Sequence, residues 1–101
     1  MIKRLVKLTF KSDKTDDFLT TFEDSKQLIR QRNGCQHLEL LRDAAMPNVF
    51  FTLSLWDDEA ALNAYRDSEL FKTTWAKTKA LFSDKAQAWT THVVSDASGS
   101  K

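Results

Sequence analysis

Apolar positions along this chain alternate between a period of two and a period near 3.6, and the changes of period mark its elements. In residues 2–10, IKRLVKLTF, one parity carries Ile2, Val6, Leu8 and Phe10 and the other Lys3, Leu5, Lys7 and Thr9, which predicts a strand. KSDKTDDFLTTFEDSKQLIRQRNG follows, with Phe18, Phe22 and Ile29 at spacings of four and seven. Acidic residues crowd its start and Asn33-Gly34 offers a left-handed-tolerant ending, so a helix is predicted here. CQHLELLRD (35–43) reads as a second strand and AAMPNV as a turn, where Pro47 bars regular pairing. VFFTLSLW (49–56), aromatic and β-favouring, predicts the third strand. DDEAALNAY starts another helix with Asp57 or Asp58 as cap. Ser68 supplies a further cap before ELFKTTWAKTKALF, so the helical stretch is expected to break near Asp67. AQAWTTHVV (86–94) predicts the last strand, and SDASGSK (95–101), with nothing to bury, is expected to be a disordered tail.

The halves echo each other: LTFKSDKTDDFLTTF and LSLWDDEAALNAY both run from strand through acidic cap to amphipathic helix. Two such units with right-handed crossovers predict an α+β, ferredoxin-like βαββαβ fold, a four-stranded antiparallel sheet with helices on one face. At 101 residues, with no linker, one domain over 1–94 is expected. A sheet covered on one side should be polar on the other, yet both parities of the third strand are apolar. Val49, Phe51, Leu53 and Leu55 share one side; Phe50 and Trp56 share the other with Thr52 and Ser54. The second strand adds Leu38 and Leu40 to one side and Cys35 and Leu41 to the opposite one. Burying such a side chain stabilises by roughly 1.5–3 kcal/mol, so a homodimer that stacks sheet on sheet is expected.

Composition narrows the partners. Fifteen basic and fourteen acidic side chains leave a net charge of +1, with no basic run beyond Lys3-Arg4. Neither nucleic acid nor a membrane surface is expected as a partner. The first ten residues lack the long apolar stretch of a secretion signal, and Cys35 has no second cysteine to pair with, so a cytoplasmic location is expected. The two His and one Cys are too dispersed for a metal site, and no glycine-rich phosphate cradle occurs.

Candidate chemistry concentrates in the aromatic stretch 64–82. At ~100° per residue, Leu70, Phe71, Trp75, Thr78, Leu81 and Phe82 share one arc, the stripe that any helix packed on a sheet requires. Tyr65 and Trp75 each add a hydrogen-bonding atom to that apolar side, which needs either a backbone carbonyl or a ligand.

The order of GCQHLELLRD, WDDEAALNAY and SELFKTTW after a βα unit resembles the antibiotic biosynthesis monooxygenase family over residues 2–94. The resemblance implies a dimeric α/β barrel of two ferredoxin-like protomers, each with a pocket between sheet and helices. Activities in that family include cofactor-independent oxygenation of quinols and polyketide phenols, haem degradation, and isomerisation of a signalling-molecule breakdown product. Haem-degrading members carry an Asn, a Trp and a haem-ligating His where this chain has Val6, Tyr65 and Trp75. With no imidazole there, haem degradation is not expected. Quinol-oxidising relatives carry His where this chain has Tyr65 and Leu70. What the resemblance leaves is a cofactor-free monooxygenase acting on a small hydrophobic aromatic, phenol or quinol, with a small aromatic or quinone as ligand, or a non-catalytic dimeric ligand-binding or stress-related protein on the same scaffold. Tyr65 and Trp75 are the candidate donors to substrate oxygen. His37 is the candidate base, ahead of His92, and Val6, Phe22 and Phe71 are candidate pocket walls. No cofactor is expected.

Overall fold

The structure, a computed structural model, describes residues 1–97. Its elements run β1 (Ile2–Thr9), α1 (Thr15–Arg30), β2 (Cys35–Arg42), β3 (Val49–Trp56), α2 (Glu59–Arg66), α3 (Glu69–Lys79) and β4 (Gln87–His92). The strands form one antiparallel sheet in the order β2-β3-β1-β4, the ferredoxin-like arrangement that the repeated strand–helix pattern predicts.

Local chemistry sets most boundaries. Asp58 caps α2 by accepting from the Ala61 N–H, and Ser68 caps α3 by accepting from the Phe71 N–H. Arg66 closes α2 and Asp67 is its C-cap, so the helical stretch breaks where Ser68 competes for the backbone. α1 is shorter than the sequence pattern predicts: it begins after Lys14 without a side-chain cap and ends at Arg30. Gly34 therefore does not end the helix. It sits at φ 85° in the turn that feeds β2, its carbonyl accepting from the Asp57 N–H at 2.8 Å. β4 stops at His92, two residues short of the predicted end, and Val94 is almost fully exposed. Residues 95–97 belong to no regular element, and the rest of the predicted tail lies outside the described residues.

Strand parity divides the side chains between two faces. Ile2, Leu8 and Phe10 point to the helices with Phe50 and Trp56 and are buried. One core cluster joins Leu8, Phe10, Phe18 and Phe50, with the Phe10 and Phe18 rings stacked at 4.2 Å. A second joins Ile2, Cys35, Trp56 and Leu62. Cys35 belongs to this helix-side cluster, not to the Leu41 side that simple alternation assigns it. A bulge between Cys35 and His37 places Cys35 opposite Trp56 and His37 opposite Leu55; one extra residue in a strand reverses the facing of what precedes it.

The reverse face carries Leu5, Leu41, Phe51, Leu53, Leu55 and Trp89 in adjoining register, with Lys3, Lys7, His37 and Glu39 among them. Leu41 and Trp89 are exposed and the other four apolar side chains are half-buried.

Candidate functional site

Between the two core clusters the helices stand off the sheet. The third strand shows why: between bulky Phe50 and Trp56 its inward positions carry the smaller, polar Thr52 and Ser54. Opposite them Val6 and Leu38 line the same opening, and Ala86 and Ala88 line the adjoining wall. The result is a cavity of about 330 Å³, at the lower end of the range of roughly 300–1,000 Å³ for small-molecule pockets.

Helix periodicity supplies the roof. Phe18, Phe22, Ser25 and Ile29 reach it from α1, Leu62, Tyr65 and Arg66 from α2, and Phe71, Thr74, Trp75 and Thr78 from α3. Tyr65 stacks on Trp56 at 5.1 Å and meets Phe71 edge-on at 5.2 Å, while Phe71 and Trp75 lie parallel within 9° at 5.8 Å. The aromatic stripe therefore has two roles. Leu81, Phe82 and one face of Trp75 pack on the Phe10 cluster, whereas Phe71 and Trp75 also present surface to the cavity.

Several polar side chains in the wall are already engaged. Ser25 donates to the Thr21 carbonyl at 2.9 Å, Thr78 to the Thr74 carbonyl at 2.8 Å, and Ser54 accepts from the Trp56 indole at 2.9 Å. The Tyr65 hydroxyl and the Trp75 indole N–H take no protein partner among the described residues, and neither is sealed as a buried orphan. Both remain available to a ligand.

Tyr65 is a donor, not a base. Burial first, and the neighbouring Cys35 second, push its pKa up to about 12, with Arg32 acting in the opposite sense. A phenol whose folded-state pKa is raised loses nothing below the unfolded value. As pH climbs from there toward the folded value, only the unfolded chain ionises and stability falls, by about 2 kcal/mol by about pH 11.5. Urea unfolding at about pH 9 and pH 11.5, spanning that window, should show this loss in the wild type beyond that in Tyr65→Phe. Equal losses in the two proteins would contradict it.

Val6, Phe22, Tyr65, Phe71 and Trp75 all line the cavity, but His37 does not. It lies on the reverse face of the sheet, half-exposed and hydrogen-bonded to Glu39, because its parity in β2 is that of Glu39 and Leu41. His92, at the end of exposed β4, is also absent from the wall. No Asp, Glu, His or Cys lines the cavity, and no trio of such residues gathers as a metal-binding set among the described residues. Cys35 is buried, and its thiol is pushed up chiefly by that burial.

Periodicity alone passed over Arg4 and Arg66, the charged members of the wall. A signal for Arg4 was present: a cation on the inward parity of β1, between Ile2 and Val6. Thr52 and Ser54 gave another, since polar residues in the middle of an inward strand face predict space rather than packing.

The sequence profile of the antibiotic biosynthesis monooxygenase family matches residues 1–77. No curated protein matches the chain significantly. Among solved structures, a crystal structure of an antibiotic biosynthesis monooxygenase superposes with a TM-score of 0.88 at 22% identity, covering 94% of this chain and 100% of the other. A conserved protein from Methanosarcina mazei Go1 gives 0.86 at 18% identity, with 89% of each chain covered. Rv0793 from Mycobacterium tuberculosis gives 0.88 at 14% identity, covering 96% of this chain and 98% of that one. At these identities the superpositions establish the fold, while the profile spans all elements through most of α3. The chain belongs to the antibiotic biosynthesis monooxygenase family.

Proposed function

We propose that this protein is a cofactor-independent monooxygenase for a small hydrophobic phenol or quinol, acting as a homodimer. The observation that carries the reading is the cavity itself: aromatic walls, with the Tyr65 hydroxyl and Trp75 indole N–H left over as donors. Oxygenation without a redox group requires a substrate that, once deprotonated, passes an electron to O₂. Recombination of the resulting radical pair forms a C–O bond, and loss of water leaves a quinone. A phenol plus O₂ then balances as a quinone plus water, and the substrate supplies all the electrons. In this scheme Tyr65 and Trp75 hold the substrate oxygen and favour its anionic form. Val6, Phe22 and Phe71 orient the ring and exclude water.

The second reading is a non-catalytic dimer that binds the same class of ligand. The lack of a base in the wall favours it, since His37, the candidate from sequence, is on the other face of the sheet. Oxygen uptake with a panel of hydroquinones and anthrones separates the two. A charge-assisted hydrogen bond contributes about 1.5–3 kcal/mol, or roughly 10–100-fold. Tyr65→Phe or Trp75→Phe should therefore lower wild-type uptake by about that factor. Saturable binding of these compounds with no oxygen consumption by the wild type would discard the oxygenase reading in favour of the second.

The apolar reverse face supports the dimer. Leu5, Leu41, Phe51, Leu53, Leu55 and Trp89 form one adjoining patch, and contiguous exposed apolar surface of this kind marks an interaction site. A second copy presents the same patch about a two-fold axis and satisfies both at once.

A further inference from the structure

We propose that the cavity selects planar aromatic anions, with Arg4 and Arg66 together gripping an ionised oxygen group while the ring lies between the aromatic walls. This names the substrate class of the cavity and rests on the small-aromatic reading above. Among the described residues, two guanidinium groups are the charged members of the wall and no carboxylate accompanies them. Among the described residues neither arginine forms an ion pair. Arg4 is half-buried on the inward face of β1 and donates to the Thr90 hydroxyl on the neighbouring strand β4. That single bond fixes the side chain and leaves most of its five N–H donors unused.

Like charges on one wall repel each other, and desolvation adds to the penalty for half-buried Arg4, while Arg66 keeps its solvent contact at the exposed rim. Both effects act on Arg4: burial first and the neighbouring Arg66 second push its pKa below the ordinary guanidinium range. The position of Arg66 in the last turn of α2 is favourable to the helix dipole in its own right. The dipole does not explain why this cation sits beside a second one with no acid between them. An anion between the two guanidinium groups does: it offsets the repulsion and takes up free donors in charge-assisted hydrogen bonds. The walls fix the rest of the ligand. Phe71 and Trp75 lie nearly parallel, and Phe22 and Val6 complete an apolar lining that suits a flat ring system.

The test is a binding titration of the full chain with 2-naphthoate and with its neutral counterpart of like shape, 2-naphthamide, read by calorimetry. Wild type should bind naphthoate roughly 10–100-fold more tightly, the difference that charge-assisted bonds provide. Arg4→Gln and Arg66→Gln should each remove most of that preference, and a far-ultraviolet dichroism spectrum matching that of the wild type reports that the variants are folded. Equal affinity of the wild type for both probes would overturn the proposal. So would a preference that survives both substitutions, or failure of naphthoate to bind the wild type. Because no oxygen is consumed in this assay, its failure is distinguishable from failure of the oxygenase reading. A naphthoate preference without oxygen uptake removes the chemistry and leaves the anion site, while oxygen uptake without the preference does the reverse.

Discussion

Alanine at position 34 is expected to destabilise the protein by about 2–5 kcal/mol, although it adds a single methyl group. Gly34 is at φ 85°, a region where a side chain costs roughly 1–2 kcal/mol. A Cβ placed there would also lie 2.5 Å from the Cβ of Ala61. That atom belongs to the first turn of α2 and cannot swing aside, so the helix itself must shift, and overpacking of this kind costs about 1–3 kcal/mol. Set against a typical total of about 5–15 kcal/mol, the sum is a large share. The shift would propagate to function, because α2 carries Tyr65 and Arg66 into the cavity wall. Urea unfolding of Gly34→Ala measures the effect. The double variant Gly34→Ala/Ala61→Gly should recover the contact part and retain the backbone part. A loss below about 1 kcal/mol in the single variant would mean that the turn tolerates the left-handed region without glycine.

Leu53→Lys is expected to convert the proposed dimer into a monomer. Leu53 is half-buried at the centre of the reverse face, paired with Leu5 on one side and Glu39 on the other, and Trp89 lies beyond Leu5. In an isolated chain a lysine there can lift its ammonium into water, so the fold should be barely affected. Between two stacked sheets it would be an unpaired buried charge costing about 3–5 kcal/mol, which weakens association by more than about 100-fold. Sedimentation equilibrium should find the wild type at twice the 11.6 kDa chain mass and Leu53→Lys at the single mass, with the two chains sharing one far-ultraviolet dichroism spectrum. A wild type that sediments as a single chain at micromolar concentration would remove the dimer.

Element by element, the pattern of the chain carried a great deal. The strands over 2–9 and 49–56, an acidic cap before α2, the Ser68 cap and the break at Asp67 all follow from local rules. So does the membership of Val6, Phe22, Tyr65, Phe71 and Trp75 in one helix-facing layer. These are legible because hydrophobic periodicity and capping are properties of neighbouring residues. Three features were not. The facing of Cys35 depends on a bulge at the start of β2, which alternation along a single strand cannot register. His37 looked like a base because its residue type is right, but the parity of its strand sends it to the opposite face. Arg4 and Arg66 lie 62 residues apart along the chain, and nothing in either neighbourhood says that they share a wall.

The chain by itself thus determined the order of strands and helices, the ferredoxin-like class and the family, because these rest on periods and caps encoded over a few residues at a time. Tertiary structure decided the rest: that small polar side chains in the middle of β3 leave a cavity, and that its wall, among the described residues, holds two cations and no base. Those outcomes depend on side-chain volumes and charges from distant segments meeting across a sheet, a sum that no local pattern contains.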